Sequence, residues 1–174
     1  MPSGQRERQK KRVLVAGSFD PVTLGHMTLI KYASEHYEEV YAVLFINVEK
    51  TYLFSLDQRR ALLEAACAPY ENVRVDAWEG MQYLYARDHG IGLVIRGYRS
   101  QEDLEYEKKV ADFNRNALPG FETILLPCSE ELCDVSSTMV RDLLVRKGDV
   151  SPFVPVETLA LLSDFAEKAN WNKM

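Results

Sequence analysis

The chain has 174 residues, of which 47% are hydrophobic and 27% charged, and its formal net charge is −5. This size and composition are typical of one globular domain with a full core. The acidic balance argues against general nucleic-acid binding, so a local cluster of cations would have to hold any anionic ligand.

Residues 1–11 are basic and polar, and they lack the apolar segment of a secretory signal. We expect a disordered arm here, with weak contact to an anionic partner as the alternative, followed by one domain over residues 12–170. No apolar run approaches the 18 residues of a membrane span, so we expect a cytoplasmic protein without membrane partners.

Three cysteines, Cys67, Cys128 and Cys133, argue against a disulfide framework. A zinc site needs about four ligands, and neither a CxxC pair nor a histidine cluster accompanies them. We therefore expect free thiols in a reducing compartment.

Apolar runs and amphipathic segments alternate along the chain. The predicted strands are residues 12–16, 40–46, 72–78, 93–95 and 121–127. The predicted helices are residues 25–37, 55–68, 80–89, 101–117, 136–147 and 157–169. Ser55 and Gln58 fit a capping box at the start of the second helix.

The strands are continuous apolar runs, as expected when both faces of a sheet are covered. The order predicts a single-domain, doubly wound α/β fold: a Rossmann-like parallel five-stranded sheet with helices on both faces. Ligands of such folds bind beyond the carboxyl ends of the strands, where the strand order reverses.

Four of the loops that follow strands carry groups suited to anions. These are Ser18 and His26 after strand one, Lys50 after strand two, Arg96 and Arg99 after strand four, and residues 134–138 after strand five. Each also has an ordinary explanation, such as a helix cap or an exposed lysine. Their convergence at one sheet edge favours a phosphate site built from arginine and a helix N-terminus.

The sequence lacks the motifs of three other common classes of α/β enzyme: dinucleotide-binding oxidoreductases, P-loop NTPases and serine hydrolases. The chain contains no GxGxxG after strand one, no GxxxxGK[ST] and no GxSxG. Transfer of a nucleotidyl group to a phosphate needs no protein nucleophile, because the acceptor attacks in line while the protein positions it and neutralises charge.

Two stretches of the chain resemble a known family. "GSFDPVTLGH", residues 17–26, resembles the nucleotidyltransferase signature, and Thr23 gives it the TxGH form of phosphopantetheine adenylyltransferases. "VIRGYRSQEDLEYEKKVADFNR", residues 94–115, is similar to a long stretch of the bacterial members of that family. The lysine loop before "FSLDQR" and the block "VSSTMVRD" also match, so the resemblance covers about residues 12–162.

This resemblance implies transfer of the adenylyl group of ATP to 4′-phosphopantetheine, giving dephospho-coenzyme A and pyrophosphate without a covalent enzyme intermediate. It also implies Mg²⁺ bound with the ATP phosphates rather than by a protein metal site, a homohexamer, and coenzyme A as a feedback ligand.

The resemblance further implies a role for each matching residue. His26 would stabilise the transition state, and Lys50 and Arg96 would orient the acceptor phosphate. Ser18 would contact both substrates, and Gln82 would line the pantetheine arm. The implied ATP contacts are Ser18, Phe19, His26, Gly97, Tyr98, Arg99, Glu107, Leu132, Cys133, Asp134, Val135, Ser136, Ser137 and Thr138.

The chain departs from the family pattern in places. Ser18 replaces the usual threonine, Leu24 replaces the frequent asparagine, and "ELCDVSST" lacks the usual aromatic residues. The "SST" ending also occurs in nicotinate-type adenylyltransferases. The alternatives are therefore a related adenylyltransferase, such as one acting on nicotinate mononucleotide, or a non-catalytic nucleotide-binding relative.

Overall fold

A computed structural model describes residues 11–169 and Trp171 of the protein. In that part of the chain the strands are β1 (Arg12–Gly17), β2 (Glu39–Ile46), β3 (Val73–Glu79), β4 (Leu93–Tyr98) and β5 (Glu122–Pro127). The helices are α1 (Leu24–His36), α2 (Leu56–Cys67), α3 (Gln82–His89), α4 (Gln101–Ala117), α5 (Ser137–Val145) and α6 (Leu159–Lys168). A 3-10 turn, Val156–Thr158, precedes α6.

The five strands form one parallel sheet in the order β3-β2-β1-β4-β5. The chain winds outward from β1 to β3, then returns and pairs β4 with the other side of β1. The strand order therefore reverses between β1 and β4, which opens a crevice at their carboxyl ends. This topology confirms the predicted doubly wound fold.

Two hydrophobic clusters cover the two faces of the sheet. Alternate residues of β1 divide between them: Val13 and Val15 join one cluster, and Leu14 and Ala16 join the other. The first cluster contains buried residues of α1, α2, α5 and α6, and the second contains Tyr85 and Ala86 of α3. Both faces are thus covered by helices, as the continuous apolar strands predict.

Local signals in the sequence explain where several helices begin and end. The Ser55 hydroxyl accepts the Gln58 N–H, and the Gln58 side-chain oxygen accepts the Ser55 N–H, which confirms the predicted capping box. Gly90 ends α3 in the left-handed conformation, with φ of 64°. Helix α4 has the predicted limits, residues 101–117.

The predicted end of the fourth strand at residue 95 is wrong. Strand β4 continues through Arg96, Gly97 and Tyr98, because β5 extends alongside and pairs with all three of these residues. Arg96 therefore projects from a strand rather than from a loop.

The prediction that Cys128 and Cys133 are free thiols is also wrong, because they form a disulfide. The chain turns back directly after β5, with the Leu132 N–H donating to the Ser129 carbonyl. This turn places the two Cα atoms 5.4 Å apart, within the range that a disulfide bridges. The number of cysteines, three, does not show whether two of them lie close enough to form a disulfide. Cys67 is free, as predicted, and its side chain is buried.

The predicted N-terminal arm lies outside the described residues except for Lys11, whose carbonyl accepts the N–H groups of Glu38 and Glu39. The domain limits at residues 12 and 170 stay predictions. None of the described helices combines the length and the apolar character needed to span a bilayer.

Two valines of opposite exposure test the position of the core. Val40 of β2 is fully buried, whereas Val48 is 77% exposed. We expect Val40→Ala to lower the free energy of unfolding by about 2 kcal/mol, because apolar burial is lost and a cavity remains. The same substitution at Val48 changes it by less than about 0.5 kcal/mol. Urea unfolding curves of both variants measure the difference, and equal losses would contradict the assigned core.

Candidate active site

A cavity of about 690 Å³ lies at the carboxyl ends of β1, β4 and β5. Its walls are the turn after β1, the first part of α1, the end of β4, one face of α4, the loop after β5 and the start of α5. This is the crevice that the strand order predicts. The geometry of each wall determines which side chains can meet a ligand there.

The turn between β1 and α1 is held from two sides. Asp20 is 2% exposed, and its carboxylate accepts the N–H groups of Leu53 at 2.9 Å and Phe54 at 3.0 Å. From α5, Arg141 donates to the Asp20 carbonyl at 2.8 Å, and the Ser137 hydroxyl donates to the Pro21 carbonyl at 2.9 Å. The turn is therefore fixed to both the loop after β2 and helix α5.

Within this turn, Phe19 has a positive φ of 47°, which places its ring beside Gly17. A Cβ atom at position 17 would lie 3.3 Å from two atoms of that ring, so the close approach favours glycine there. The Phe19 ring also makes an edge contact with the His26 imidazole, with centroids 4.8 Å apart. The turn thus supports one side of the histidine.

His26 lies at the third position of α1, where glutamate or glutamine usually completes a capping box. The Thr23 N–H donates to His26 Nδ1 at 3.0 Å. Since Nδ1 accepts this hydrogen bond, the neutral imidazole carries its proton on Nε2. The helix cap therefore fixes the tautomer and leaves an N–H donor for a ligand in the cavity.

Desolvation of the imidazole, followed by the nearby cations Arg96 and Arg99, lowers the pKa of His26 from 6.5 to about 4. The imidazole is therefore neutral near pH 7 and acts there as a hydrogen-bond donor rather than as a charged group. Between pH 6.5 and 4 the unfolded chain binds a proton at His26 that the folded chain does not. This residue therefore lowers stability as the pH falls through that window.

Arg96 of β4 connects the end of β1 to the interior of α4. Its Nε and Nη2 donate to the two carboxylate oxygens of Glu107 at 3.1 and 2.9 Å, and its Nη1 donates to the Ala16 carbonyl at 2.7 Å. Because a guanidinium has five N–H groups, two remain for a ligand. Glu107 is 7% exposed and uses both oxygens on Arg96, so in this structure it fixes the orientation of that arginine.

Lys50 reaches the same place from the loop after β2. Its Nζ lies 3.3 Å from the Ser18 hydroxyl, and the lysine is exposed. The ammonium can turn toward an anion at low cost, because its main contact in this part of the structure is a neutral hydroxyl.

The N-terminus of α5 forms another part of the cavity wall. Ser136 caps the helix by accepting the Met139 N–H, and Thr138 accepts a hydrogen bond from Arg141 at 3.1 Å. Backbone N–H groups at a helix start attract anions, and Arg141 adds a cation one helical turn later. Arg141 was not among the predicted site residues, although it lies in the block "VSSTMVRD".

Most predicted site residues lie in the wall of this cavity. These are Ser18, Phe19, His26, Lys50, Arg96, Gly97, Tyr98, Arg99, Glu107, Leu132, Val135, Ser136, Ser137 and Thr138. Gln82, Cys133 and Asp134 do not line it. Gln82 is the first residue of α3, and Cys133 is tied to Cys128. Asp20 and Tyr32, which were not predicted from the sequence, also line the cavity.

Residues 14–143 match the cytidylyltransferase-like family. A solved structure from Vibrio parahaemolyticus, assigned as a nicotinate-nucleotide adenylyltransferase, superposes with a TM-score of 0.66. The two chains are 17% identical, and the match covers 90% of this chain and 94% of that one, so the likeness shows a shared fold. The chain is thus a member of the cytidylyltransferase-like nucleotidyltransferases.

Several curated relatives carry one name, phosphopantetheine adenylyltransferase. The protein of that name from Alkaliphilus metalliredigens is 41% identical over 84% of this chain and 94% of its own length. Those from Thermotoga neapolitana and Streptomyces coelicolor are 39% and 35% identical, over 84% and 88% of this chain and 91% and 96% of their own lengths. The chain belongs to the phosphopantetheine adenylyltransferase family.

The His26 tautomer and pKa can be measured directly. In ¹H–¹⁵N imidazole spectra of the free protein, we expect His26 as the neutral Nε2–H form at pH 6, titrating near pH 4, because burial and neighbouring cations oppose its protonation. A His26→Gln variant identifies the signal among the three histidines. A His26 pKa at or above 6 in the free protein would contradict the description of this site.

The Asp20 carboxylate can be tested by an isosteric change. In Asp20→Asn the amide cannot accept both the Leu53 and the Phe54 N–H. We expect a loss of about 3 kcal/mol in the free energy of unfolding, since a buried donor stays unsatisfied. The control is Asp112→Asn on α4, where the side chain is 62% exposed. That change should cost less than about 0.5 kcal/mol, and equal losses in denaturant melts would refute the role of Asp20.

Proposed function

We propose that the protein transfers the adenylyl group of ATP to 4′-phosphopantetheine, producing dephospho-coenzyme A and pyrophosphate. One observation carries this proposal: groups that bind phosphate, contributed by several separate elements, converge on one cavity. They are Lys50, the two free N–H groups of Arg96, Arg99, Arg141, His26 and the N-terminus of α5. The names of the relatives that share 35–41% identity support the same choice of substrates.

In the proposed reaction an oxygen of the acceptor phosphate attacks the α-phosphorus of ATP. A new P–O bond forms, the bond between the α-phosphorus and the bridging oxygen breaks, and the electron pair leaves with pyrophosphate. Such an in-line transfer needs no covalent intermediate on the protein, since catalysis comes from alignment and from stabilisation of charge.

His26 is the proposed stabiliser of the transition state. Its Nε2–H would donate to an oxygen of the α-phosphate as negative charge redistributes there. The Thr23 N–H at Nδ1 and the Phe19 ring hold the imidazole in place before the substrate arrives. A donor held in advance in this way contributes more than a mobile one, because little reorganisation is needed during the reaction.

Lys50, Ser18 and Arg96 are proposed to hold the acceptor phosphate. Lys50 is the more adjustable of the two cations, while Arg96 is fixed by Glu107 and by the Ala16 carbonyl. The fixed cation would set the direction of attack, and the mobile one would neutralise charge. We also propose that Gln82 contacts the pantetheine arm, an assignment that rests on the family resemblance alone.

ATP is proposed to lie against Phe19, Gly97–Arg99, Glu107 and the loop Leu132–Thr138. It would enter as its Mg²⁺ complex. The carboxylates along the cavity have other partners: Asp20 accepts backbone N–H groups, Glu107 binds Arg96, and Asp103 accepts the Arg99 N–H. No group of three acidic, histidine or cysteine side chains is placed to hold a metal in the part of the chain that the structure describes. We propose that the ATP phosphates hold the ion, as the family resemblance implies.

We further propose a cytoplasmic homohexamer that coenzyme A inhibits by feedback, without nucleic-acid or membrane partners. The family resemblance supports this assembly and regulation. Exposed apolar side chains such as Met81, Phe113 and Val156 offer surface that subunit contacts could bury.

A pyrophosphate-release assay over a panel of acceptors tests the proposed function. With MgATP, we expect turnover with 4′-phosphopantetheine and none with nicotinate mononucleotide or a cytidylyl acceptor. Lys50, Ser18 and Arg96 could hold the phosphate of any of these acceptors, so the choice among them rests on the names of the relatives. Turnover with nicotinate mononucleotide alone would favour the alternative function, a nicotinate mononucleotide adenylyltransferase. ATP binding by calorimetry without turnover of any acceptor would favour a non-catalytic relative.

A variant pair within the same assay tests the chemistry. We expect His26→Ala to lower kcat by about 10²–10³ while the Kd for ATP changes much less, as for a donor that acts mainly in the transition state. His36→Ala, at the last residue of α1, is the matched control and should keep the wild-type rate. Equal losses of rate and ATP affinity would make His26 a ground-state binding group.

A further inference from the structure

Arg59 of α2 is a buried cation outside the wall of the cavity. It is 2% exposed, and among the described residues it forms no ion pair with a carboxylate. Its Nε also finds no hydrogen-bond partner there. Buried charges are normally paired, because removing an ion from water costs several kcal/mol. The position of this arginine therefore needs an explanation.

The guanidinium of Arg59 makes two contacts. Its Nη1 donates to the Ser18 carbonyl at 3.1 Å, and its Cζ lies 3.8 Å from the centroid of the Tyr52 ring. The first contact fixes the turn after β1. The second is a cation–π stack, which is strong at this distance when the cation is desolvated.

Both contacts lie on loops that carry site residues. Ser18 supplies the hydroxyl that meets Lys50, and Tyr52 follows Lys50 by two residues in the loop after β2. The Tyr52 hydroxyl accepts the Asn47 N–H at 3.0 Å, which closes that loop on itself. Arg59 is thus a common support for the two loops whose side chains meet at Ser18 and Lys50.

The charges around the cavity give Arg59 a second role. Arg96 is paired with Glu107, Arg99 lies 3.7 Å from Asp103, and Arg141 lies 3.7 Å from Asp20. Lys50 and Arg59 have no such partner in the part of the chain described. The buried guanidinium of Arg59 contacts the Ser18 carbonyl, so an anion at the Ser18 hydroxyl would lie on the same residue. A buried charge is poorly screened by solvent and would attract that anion.

We propose that Arg59 is a positioning residue for the acceptor phosphate. By holding the Ser18 carbonyl and the Tyr52 ring, it sets the 3.3 Å contact between Ser18 and Lys50, and its uncompensated charge favours an anion at that contact. Only the identity of that anion rests on the proposed function.

Three variants separate positioning from simple support of the fold. Arg59→Met removes the charge and both contacts, and Arg59→Lys keeps the charge but loses the planar fork. Arg60→Met is the matched control on the same helix, because its side chain is 44% exposed and pairs with Glu64. Thermal melting, kcat and both KM values are measured for each.

For folded Arg59→Met we expect KM for 4′-phosphopantetheine to rise by about tenfold or more and kcat to fall by about tenfold, with a smaller change in KM for ATP. Arg59→Lys recovers part of the loss, and Arg60→Met behaves as wild type. A role only in folding would lower the melting temperature and leave kcat and KM of the folded protein within twofold, which would overturn the proposal.

Changes at Tyr52 keep the test decisive if Arg59→Met does not fold. Tyr52→Leu removes the stack but leaves the arginine, and it should raise the acceptor KM as Arg59→Lys does. Both changes disrupt the same contact, the stack of the Arg59 guanidinium on the Tyr52 ring. The rise in acceptor KM of the double variant Arg59→Lys/Tyr52→Leu should therefore be smaller than the product of the two single rises. Independent, multiplicative losses would overturn the proposal.

Failure of the proposed function can be distinguished from failure of this inference. If the wild type does not turn over 4′-phosphopantetheine, the proposed function fails. Calorimetric binding of inorganic phosphate, which mimics the acceptor phosphate, then tests Arg59 alone. Binding weakened about tenfold in Arg59→Lys or Arg59→Met but not in Arg60→Met supports the anion-positioning role. Equal binding in all variants overturns it.

Discussion

The buried carboxylate of Asp20 joins the parts of the site that come from distant points of the chain. It accepts two backbone N–H groups from the loop after β2, and its own backbone carbonyl accepts from Arg141 of α5. A carboxylate removed from water is stable only when such donors replace its hydration. The turn after β1 can therefore keep its shape only while the loop and the helix stay in place.

The parallel sheet supplies the second constraint. Because β4 pairs with β1 and not with β3, the strand order reverses between β1 and β4. A crevice opens there at the carboxyl ends of the two strands. Cations enter this crevice from a strand, a loop and a helix, and three of them have a carboxylate nearby. Positive charge is therefore concentrated in this crevice, although the net charge of the whole protein is −5.

The neutral His26 shows how the scaffold controls chemistry. The cap of α1 occupies Nδ1, and burial together with neighbouring cations lowers the pKa to about 4. The same residues that attract phosphates thereby keep the imidazole a hydrogen-bond donor at neutral pH. The histidine and its cap are close in sequence, but the cations that act on it come from β4 and the loop that follows.

The sequence by itself determined the elements and the chemistry of single positions. Apolar runs, the Ser55–Gln58 capping box and Gly90 depend on local interactions, so the strands, helix α4 and the start of α2 could be predicted from neighbouring residues. Most of the predicted site residues, among them His26, Lys50 and Arg96, do line the cavity, because its wall is formed where the predicted strands end.

Only the tertiary structure decided how long β4 is, which cysteines pair and which partners the charged groups have. Strand β4 extends because β5 lies beside it, and Cys128 meets Cys133 because the chain turns back after β5. Glu107 fixes Arg96, and Arg59 supports Ser18 from 41 residues away. These contacts depend on distances between segments remote in sequence, and local patterns contain no information about such distances.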